Sequence, residues 1–316
     1  MRHEIRTAGG TKLAVLHTGT PADGWGEDQW DAMCHRAEEL LAEYGAVMIR
    51  GVGVADADAF HDAVSRFGGA LIDSYRGGNT PRSAVSEGVF TSTEYPARYD
   101  ITLHNEMSYA KTWPSRLYFG CLIAAETGGA TPVCDGEALL ESLPPGVRAR
   151  FSSGIVYRRH LHGGFGLGKS WQDTYETQDR AVVEAFLKET AAEYEWTADG
   201  GLRVMQHRPG IRINPRTGRY AWFNQADQWH PSNLPDEEAE LLLSLIDTAE
   251  DLPHWTTFAD GTLLTDDDLA HVRKAQRENM IAEPWQAGDI MIVDNMSVLH
   301  GRESFTGARK VVVAMT

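Results

Sequence analysis

The feature that most constrains the fold is the spread of short strand candidates along the 316-residue chain. They are apolar or alternating runs bounded by turn residues such as Gly, Pro and Asn. They lie at 46–50, 116–124, 154–159, 219–223, 289–293 and 310–314. These runs do not alternate strictly with helices, which disfavours a doubly wound parallel sheet. They favour an antiparallel sheet or barrel, of mainly β or α+β class, with helices packed outside.

Helical patterns separate these strand candidates. Residues 27–44 carry apolar side chains at helical spacing and end at Gly45, a residue that commonly closes helices. Further helices are predicted at 55–67, 178–194, 236–249 and 265–278. The segment 70–100 has little periodicity, and a loop of that length in a compact domain is often a lid over a site.

Composition and net charge limit the kinds of molecule that the protein is expected to bind. The chain is 42% hydrophobic and 23% charged, as globular proteins are, and its formal net charge of −16 disfavours nucleic acid or an anionic membrane as a partner. Its three cysteines include no C-x-x-C pair, so neither a disulfide framework nor a zinc ribbon is indicated. We see no secretory signal and no apolar run of the ~18 residues that span a bilayer. We therefore expect a cytoplasmic protein, and a homo-oligomer is compatible with the sequence.

The segment 101–109 contains the motif His-x-Glu at His104 and Glu106. Residues two apart on an extended strand project to the same face, so one imidazole and one carboxylate converge there. Two histidines and one carboxylate on one face of a metal leave coordination positions open, as in non-haem Fe(II) oxygenases. An isolated His-x-Glu is common on surface strands, so the motif needs a third ligand.

The C-terminal stretch supplies a candidate for that third ligand. It offers a strand, a turn, His300, a compact loop and a final strand that begins near Arg309. The guanidinium of an arginine binds carboxylates through two parallel hydrogen bonds, which suits a dicarboxylate. The alternative for Arg309 is a surface charge at the start of a strand.

Taken together, these motifs resemble the taurine dioxygenase and clavaminate synthase-like superfamily of Fe(II)/2-oxoglutarate oxygenases, and most closely its syringomycin-biosynthesis type of amino-acid hydroxylase. The similarity runs from about residue 93 to the C-terminus. Its motifs are 93–96, 103–109, 128–132, 222–225 and 300–305, followed by Arg309. The set and its order are specific, whereas each piece alone is not.

The resemblance implies a single oxygenase domain over 1–316 with a double-stranded β-helix (jelly-roll) core and flanking helices. It implies that His104, Glu106 and His300 bind Fe(II), and that Thr131 and Arg309 bind the distal carboxylate of the cosubstrate 2-oxoglutarate. With O2, such enzymes couple decarboxylation of the keto acid to oxidation of a C–H bond, hydroxylation being the default. Many superfamily members have Asp where Glu106 stands. Halogenating relatives have a small residue there, so Glu106 argues against halogenation.

Two other functions remain open on the sequence. The stretch 163–170 matches G-x-x-x-x-G-K-[ST], a phosphate-binding loop, although no apolar periodicity predicts a helix directly after it. In the oxygenase interpretation this stretch belongs to a glycine-rich loop at about 160–177. His160 and His162 alternate on the strand before it, but a polar strand edge explains them equally. The second of these other functions is that of a non-catalytic barrel that binds a small acid or a metal.

The substrate is the least determined part of the prediction. The resemblance implies an amino-acid-like small molecule from specialised metabolism, either free or carried on a peptidyl carrier domain. Arg302 could bind a substrate carboxylate or form an ion pair within its loop. The candidate substrate contacts are Arg76, Thr93, Glu94, Asn105, Asn224 and Arg302.

Overall fold

The strands gather into sheets whose neighbours are mostly antiparallel. The computed structural model describes residues 1–19, 24–73, 83–92 and 95–316, and within them the fold is mixed α and β. The strands of this part are Arg2–Ala8 (β1), Thr11–His17 (β2), Ala46–Arg50 (β3), Ala84–Ser86 (β4), Val89–Thr91 (β5), Ile101–His104 (β6), Arg116–Ile123 (β7), Thr127–Gly128 (β8), Val133–Asp135 (β9), Ile155–Leu161 (β10), Glu193–Trp196 (β11), Leu202–Arg208 (β12), Ile211–Ile213 (β13), Tyr220–Trp222 (β14), His254–Phe258 (β15), Ile290–Asp294 (β16), Val298–Arg302 (β17), Phe305–Thr306 (β18) and Lys310–Met315 (β19). The helices are Glu27–Tyr44 (α1), Ala57–Ser65 (α2), Gly136–Ser142 (α3), Pro145–Ser152 (α4), Trp171–Tyr175 (α5), Arg180–Glu189 (α6), Asp236–Ser244 (α7) and Asp266–Asn279 (α8).

The largest sheet has the order β1-β2-β3-β16-β7-β19-β5-β4. Only β2 and β3 run parallel among its described pairs. Its central strands are apolar on both faces, because helices cover one face and other strands lie against the opposite face. On β3, for example, Val47 and Ile49 pack with helices α1 and α2, while Ala46 and Met48 join the cluster on the other side.

A smaller sheet of order β6-β17-β9 lies against that second face. Val133 of β9 and Val298 of β17 belong to the same buried cluster as Leu117 and Val293 of the large sheet. The region between the large and the small sheet therefore holds the ends of β6 and β17. A four-stranded antiparallel sheet, β11-β12-β10-β15, shares a buried cluster with the small sheet, since Tyr157 and Phe258 belong to the same cluster as Leu103 and Leu299. The pairs β13-β14 and β18-β8 form two-stranded ladders.

The predicted helices all occur: α1 has the predicted bounds, and the ends of the others are shifted by a few residues. Asp56 caps α2 by accepting from Ala59 N, and Thr265 forms a capping box with Asp268 at α8. The helix predicted at 236–249 ends at Ser244 and has no buried residue. No helix in the described ranges is long and apolar enough to cross a membrane.

The predicted lid at 70–100 lies partly outside the described residues, since these omit 74–82 and 93–94. The described part contains two short strands, β4 and β5, that the lack of periodicity did not predict. They form the edge of the large sheet through pairing of β5 with β19. Runs of three residues are too short to show a period.

Candidate metal centre

His104 and His300 lie side by side because β6 and β17 are antiparallel neighbours. The two histidines are direct partners in the strand register, and their ring centroids are 4.4 Å apart. Directly opposed residues on adjacent strands project their side chains to the same face. The next residue, Gly301, permits this pairing, since a Cβ there would stand 2.5 Å from the carbonyl oxygen of Ile101.

Glu106 completes a buried triad just beyond the end of β6. Its Oε2 lies 3.7 Å from Nε2 of His300, and one donor atom from each of the three residues lies within 4.8 Å of the others. His104 is 8% exposed, Glu106 3% and His300 4%, so the donors are shielded from bulk water. Within the described ranges this is the one cluster of His, Cys, Asp and Glu that could hold a metal ion.

The ring of His104 is oriented by the backbone and by a neighbouring amide. Its Nδ1 lies 2.9 Å from the carbonyl oxygen of Thr102 and 2.9 Å from the side-chain nitrogen of Gln228, which also donates to Thr102 O at 3.0 Å. A proton on Nδ1 that is donated to this carbonyl leaves the ring lone pair on Nε2. Such a contact on the second nitrogen is typical of metal-binding histidines.

Asn295 fixes the backbone of Glu106. Its Oδ1 accepts from the Glu106 N–H at 2.7 Å, and its Nδ2 donates to the Glu106 carbonyl at 3.0 Å and to Pro114 O at 2.8 Å. Asn105 donates in turn to the Asn295 carbonyl at 2.9 Å. Both asparagines are completely buried, so the turn between β16 and β17 is tied to the end of β6.

The triad fits a ferrous ion by its chemistry. Two imidazole nitrogens and one carboxylate oxygen are the donor set of non-haem Fe(II) oxygenases, and such a set leaves coordination positions open. Nε2 of His300 faces the buried carboxylate of Glu106, and buried charged groups in proteins are normally paired or bound to a metal. The donor set therefore points to a metal site rather than to packing.

A small cavity of about 30 Å³ adjoins the triad and contains two cationic side chains. His104, His300, Thr131, Arg302 and Arg309 line it. Burial, together with the charge of Arg302, lowers the pKa of Arg309 to about 10. Two guanidinium groups that repel one another in a small space favour the binding of an anion between them.

Each side chain in this cavity is held in place. Arg309 Nε donates to Gly129 O at 2.8 Å, which leaves its Nη groups toward Ser92 Oγ, 3.4 Å from Nη1. Trp285 Nε1 donates to Thr131 Oγ1 at 3.1 Å. The threonine oxygen accepts that bond, so its own proton remains available to an acceptor in the cavity.

A family model described as "Taurine catabolism dioxygenase TauD, TfdA family" matches residues 19–316. The chain belongs to this family. It is therefore a non-haem iron dioxygenase that depends on 2-oxoglutarate, and its cofactors are Fe(II), 2-oxoglutarate and O2.

Two relatives extend the match over most of the chain. The dapdiamide synthesis protein DdaC of Enterobacter agglomerans is 34% identical over 282 residues, covering 89% of this chain and 84% of that protein. A clavaminate synthase-like protein of Arabidopsis thaliana is 32% identical over 290 residues, with the same two coverages of 89% and 84%.

Solved structures share the fold. PvcB, described as an Fe, alpha-ketoglutarate dependent oxygenase from an isonitrile synthetic pathway, superposes with a TM-score of 0.54 at 15% identity, over 99% of this chain and 90% of that one. AAD-2 in complex with Mn(II) and N-oxalylglycine gives 0.53 at 14% identity, over 100% and 97%.

Of the predicted substrate contacts, three lie in the described structure with their side chains bonded to the protein, and three lie outside it. Arg302 forms no ion pair with the described residues, which was one of its two alternatives. It donates to the carbonyl oxygens of Tyr95, Pro96 and Tyr99 at 2.9, 2.8 and 2.7 Å, and so holds that loop. Asn224 is buried and bonds Gly210 O and Ala226 N, and Asn105 bonds Asn295 as above. These bonds point to structural roles for both asparagines. Arg76, Thr93 and Glu94 lie outside the described residues.

The glycine-rich segment does not form a nucleotide-binding loop. The strand before it, β10, is antiparallel to both β12 and β15, whereas a phosphate-binding loop follows a strand of a parallel sheet. The absence of a helix after this loop was a wrong prediction, because Ser170 caps α5 by accepting from Asp173 N. That helix has only five residues, which is too short to show apolar periodicity.

His160 and His162 also remain without a third donor. His162 Nδ1 accepts from Gly164 N at 3.2 Å, and neither residue belongs to a metal-binding cluster of the described part. Sequence reasoning missed Asn295 and Gln228. Their roles depend on where backbone groups of distant segments lie, and their sequence surroundings suggest only a turn and a loop.

Proposed function

We propose that His104, Glu106 and His300 bind Fe(II), and that the protein couples decarboxylation of 2-oxoglutarate to oxidation of an unactivated C–H bond. The default outcome is hydroxylation of an amino-acid-like substrate. The observation that carries this proposal is the convergence of three buried donors from two distant segments, within 4.8 Å, beside a cavity that contains Arg309 and Thr131.

Arg309 and Thr131 are suited to hold 2-oxoglutarate. The guanidinium would pair with the distal carboxylate, and the threonine hydroxyl, oriented by Trp285, would donate to the same group. Arg302 adds positive charge to the cavity while its own hydrogen bonds go to the 95–99 loop. Bound Fe(II) would supply the redox chemistry by which O2 is activated.

The remaining residues keep the geometry fixed and the site dry. Asn295 and Thr102 hold the backbone of Glu106 and the ring of His104, and Phe119 packs against His300 with ring centroids 5.3 Å apart. Removing water from such a site protects reactive species from side reactions. The carboxylate of Glu106 would occupy the coordination position that a halide would need, so we propose oxidation without halogenation.

The substrate assignment is supported by the kind of relative that the chain matches. One relative is named for dapdiamide synthesis, and PvcB is described as coming from an isonitrile synthetic pathway. We therefore propose a role in specialised metabolism, in the cytoplasm, with an amino-acid-like substrate that is free or bound to a peptidyl carrier domain. We further propose that the large and the small sheet together form a jelly-roll core.

Succinate formation tests the reaction class. We expect succinate from 2-oxoglutarate only when Fe(II) is added, and a mass increase of one oxygen atom in a member of a panel of free and carrier-bound amino acids. His300→Ala is expected to form none, whereas His162→Ala serves as the matched control and keeps activity. Succinate formation by His300→Ala at limiting iron would refute the proposal.

A further inference from the structure

A second cavity, of about 310 Å³, is lined in part by Met107, the residue that follows the triad member Glu106, and has no role in the proposal above. Its wall includes Met107, Tyr109, Trp113, Arg159 and Gln206. Small-molecule pockets in proteins begin at about this volume and are lined mainly by apolar and aromatic groups with a few placed polar ones. The size suits a molecule of amino-acid dimensions.

In two chain segments, a residue at the triad is followed directly by a residue at this cavity or in contact with its wall. Glu106 belongs to the triad, while the next residue, Met107, lines the cavity after a backbone turn with φ of 55°. That left-handed conformation is uncommon for a residue with a side chain and often accompanies functional sites. Likewise Gln228 contacts the His104 ring, and the adjacent Trp229 stacks on Arg159.

Arg159 is a buried cation in the cavity wall. It is 5% exposed, and its Cζ lies 4.8 Å from the ring centroid of Tyr109 and 5.0 Å from that of Trp229. A guanidinium that stacks on aromatic rings keeps the N–H groups in its plane for hydrogen bonds to a carboxylate. Gln206 projects from β12 on the same face, diagonally across the ladder in which Arg159 pairs with Val204.

The surroundings of Arg159 favour an anion. The pKa of Lys169 is lowered by burial and then by the charge of Arg159, and burial lowers the pKa of His254 to about 4, with Arg159 contributing. Tyr175, which also lines the cavity, is buried and uncharged. The chain as a whole has a net charge of −16, whereas Arg159, Lys169 and His254 gather basic side chains here, and Glu189 is the acidic residue of the cavity wall.

We propose that this cavity is the substrate pocket and that Arg159 binds a free carboxylate of the substrate. The proposal rests on the proposed function, because it assigns the molecule oxidised at the triad. An aminoacyl group linked to a carrier through its carboxyl has no such carboxylate. The pocket therefore favours a free acid over the carrier-bound form.

Calorimetric titration of the full chain, loaded anaerobically with Fe(II) and 2-oxoglutarate, tests this with two probes of equal shape. 3-Phenylpropionate carries a carboxylate and 3-phenylpropanamide a neutral amide. We expect the acid to bind the native protein at least ~10-fold more tightly than the amide, as a charge-assisted bond requires. Arg159→Met should abolish the preference, and Arg159→Lys should retain part of it.

Arg158→Met is the matched control, because Arg158 sits on the opposite face of β10 and contacts Met205. It should keep the preference. Equal binding of the two probes, binding of neither, or a preference that persists in Arg159→Met would overturn the proposal. If Arg159→Met does not fold, the affinities of the acid and the amide for the native protein and for Arg159→Lys still test the proposal.

The two proposals can fail separately. Absence of Fe(II)-dependent succinate formation in the native protein would remove the proposed function, whatever the probes do. Normal substrate-independent succinate formation by Arg159→Met, with loss of the carboxylate preference, is the result expected when both are correct. Succinate formation with no carboxylate preference would remove only the assignment of the pocket.

Discussion

The end of β6 and the end of β10 carry similar sequence motifs but differ in burial and in the donor groups around them. His104 and Glu106 are spaced by one residue, as are His160 and His162, and each pair lies where a strand ends. The first pair meets His300 from a neighbouring strand and is buried. The second pair runs into a partly exposed glycine-rich loop and meets no third donor in the described structure. A short motif becomes a metal site only when a distant strand supplies the missing ligand and excludes water.

Replacing histidines by alanine at the two strand ends should give the largest difference in activity. His104→Ala or His300→Ala is expected to abolish Fe(II) binding and succinate formation, because either change leaves two donors. His160→Ala should leave both unchanged. Equilibrium dialysis with Fe(II) and a succinate assay measure the two quantities. Comparable losses in all three variants would remove the distinction.

Asn295→Ala tests whether the buried amide positions Glu106. We expect Fe(II) affinity to fall by ~10–100-fold, the usual effect of losing a residue that orients a metal ligand. Asn224→Ala is the matched control, since Asn224 is buried too and its side chain bonds two backbone groups, against three for Asn295, but none of the triad. Both variants should unfold at lower temperature. If iron affinity falls equally in both, Asn295 has only a structural role.

Arg309→Met should affect the cosubstrate and spare the iron. The KM for 2-oxoglutarate is expected to rise by ~10–100-fold, because a charge-assisted pair contributes about 1.5–3 kcal/mol. Lys310→Met removes an exposed neighbouring charge and should change nothing. Steady-state kinetics at varied 2-oxoglutarate concentrations measure this effect. An unchanged KM in Arg309→Met would exclude the arginine from the keto-acid site.

Ser170→Ala should have the smallest effect on the protein, and it tests whether the glycine-rich segment binds a nucleotide. Ser170 Oγ accepts from Asp173 N at 3.0 Å, so its loss should cost ~1 kcal/mol of unfolding free energy, as for other helix caps. Iron affinity should not change, and the native protein should not bind ATP in a calorimetric titration. ATP binding that Ser170→Ala abolishes would instead favour a phosphate-binding loop.

Much of this architecture could be predicted from the sequence because it depends on local periodicity. The apolar spacing in α1 and the run of four apolar residues in β3 predicted both elements with the bounds that they have. His104 and Glu106 followed from their spacing. The partner strand of β6 did not, since pairing with β17 is a long-range property. The C-terminal pattern made His300 a candidate ligand, and the resemblance implied its role.

Other features have no local signature. Nothing in the sequence separates Arg159 from Arg158, although Arg159 is buried in the wall of the 310 Å³ cavity and Arg158 lies on the opposite face of the strand. The clamp formed by Asn295 depends on backbone groups of Glu106 and Pro114 that the fold brings near. Helix α5 and strands β4 and β5 are too short for a period to appear.

Anomalous diffraction from crystals soaked anaerobically with Fe(II), recorded on both sides of the iron absorption edge, tests the central claim most directly. Our account predicts one peak per chain, in contact with the imidazole nitrogens of His104 and His300 and with the carboxylate of Glu106. A structure with iron bound elsewhere, for example at His160 and His162, or with no peak among these three side chains, would contradict it.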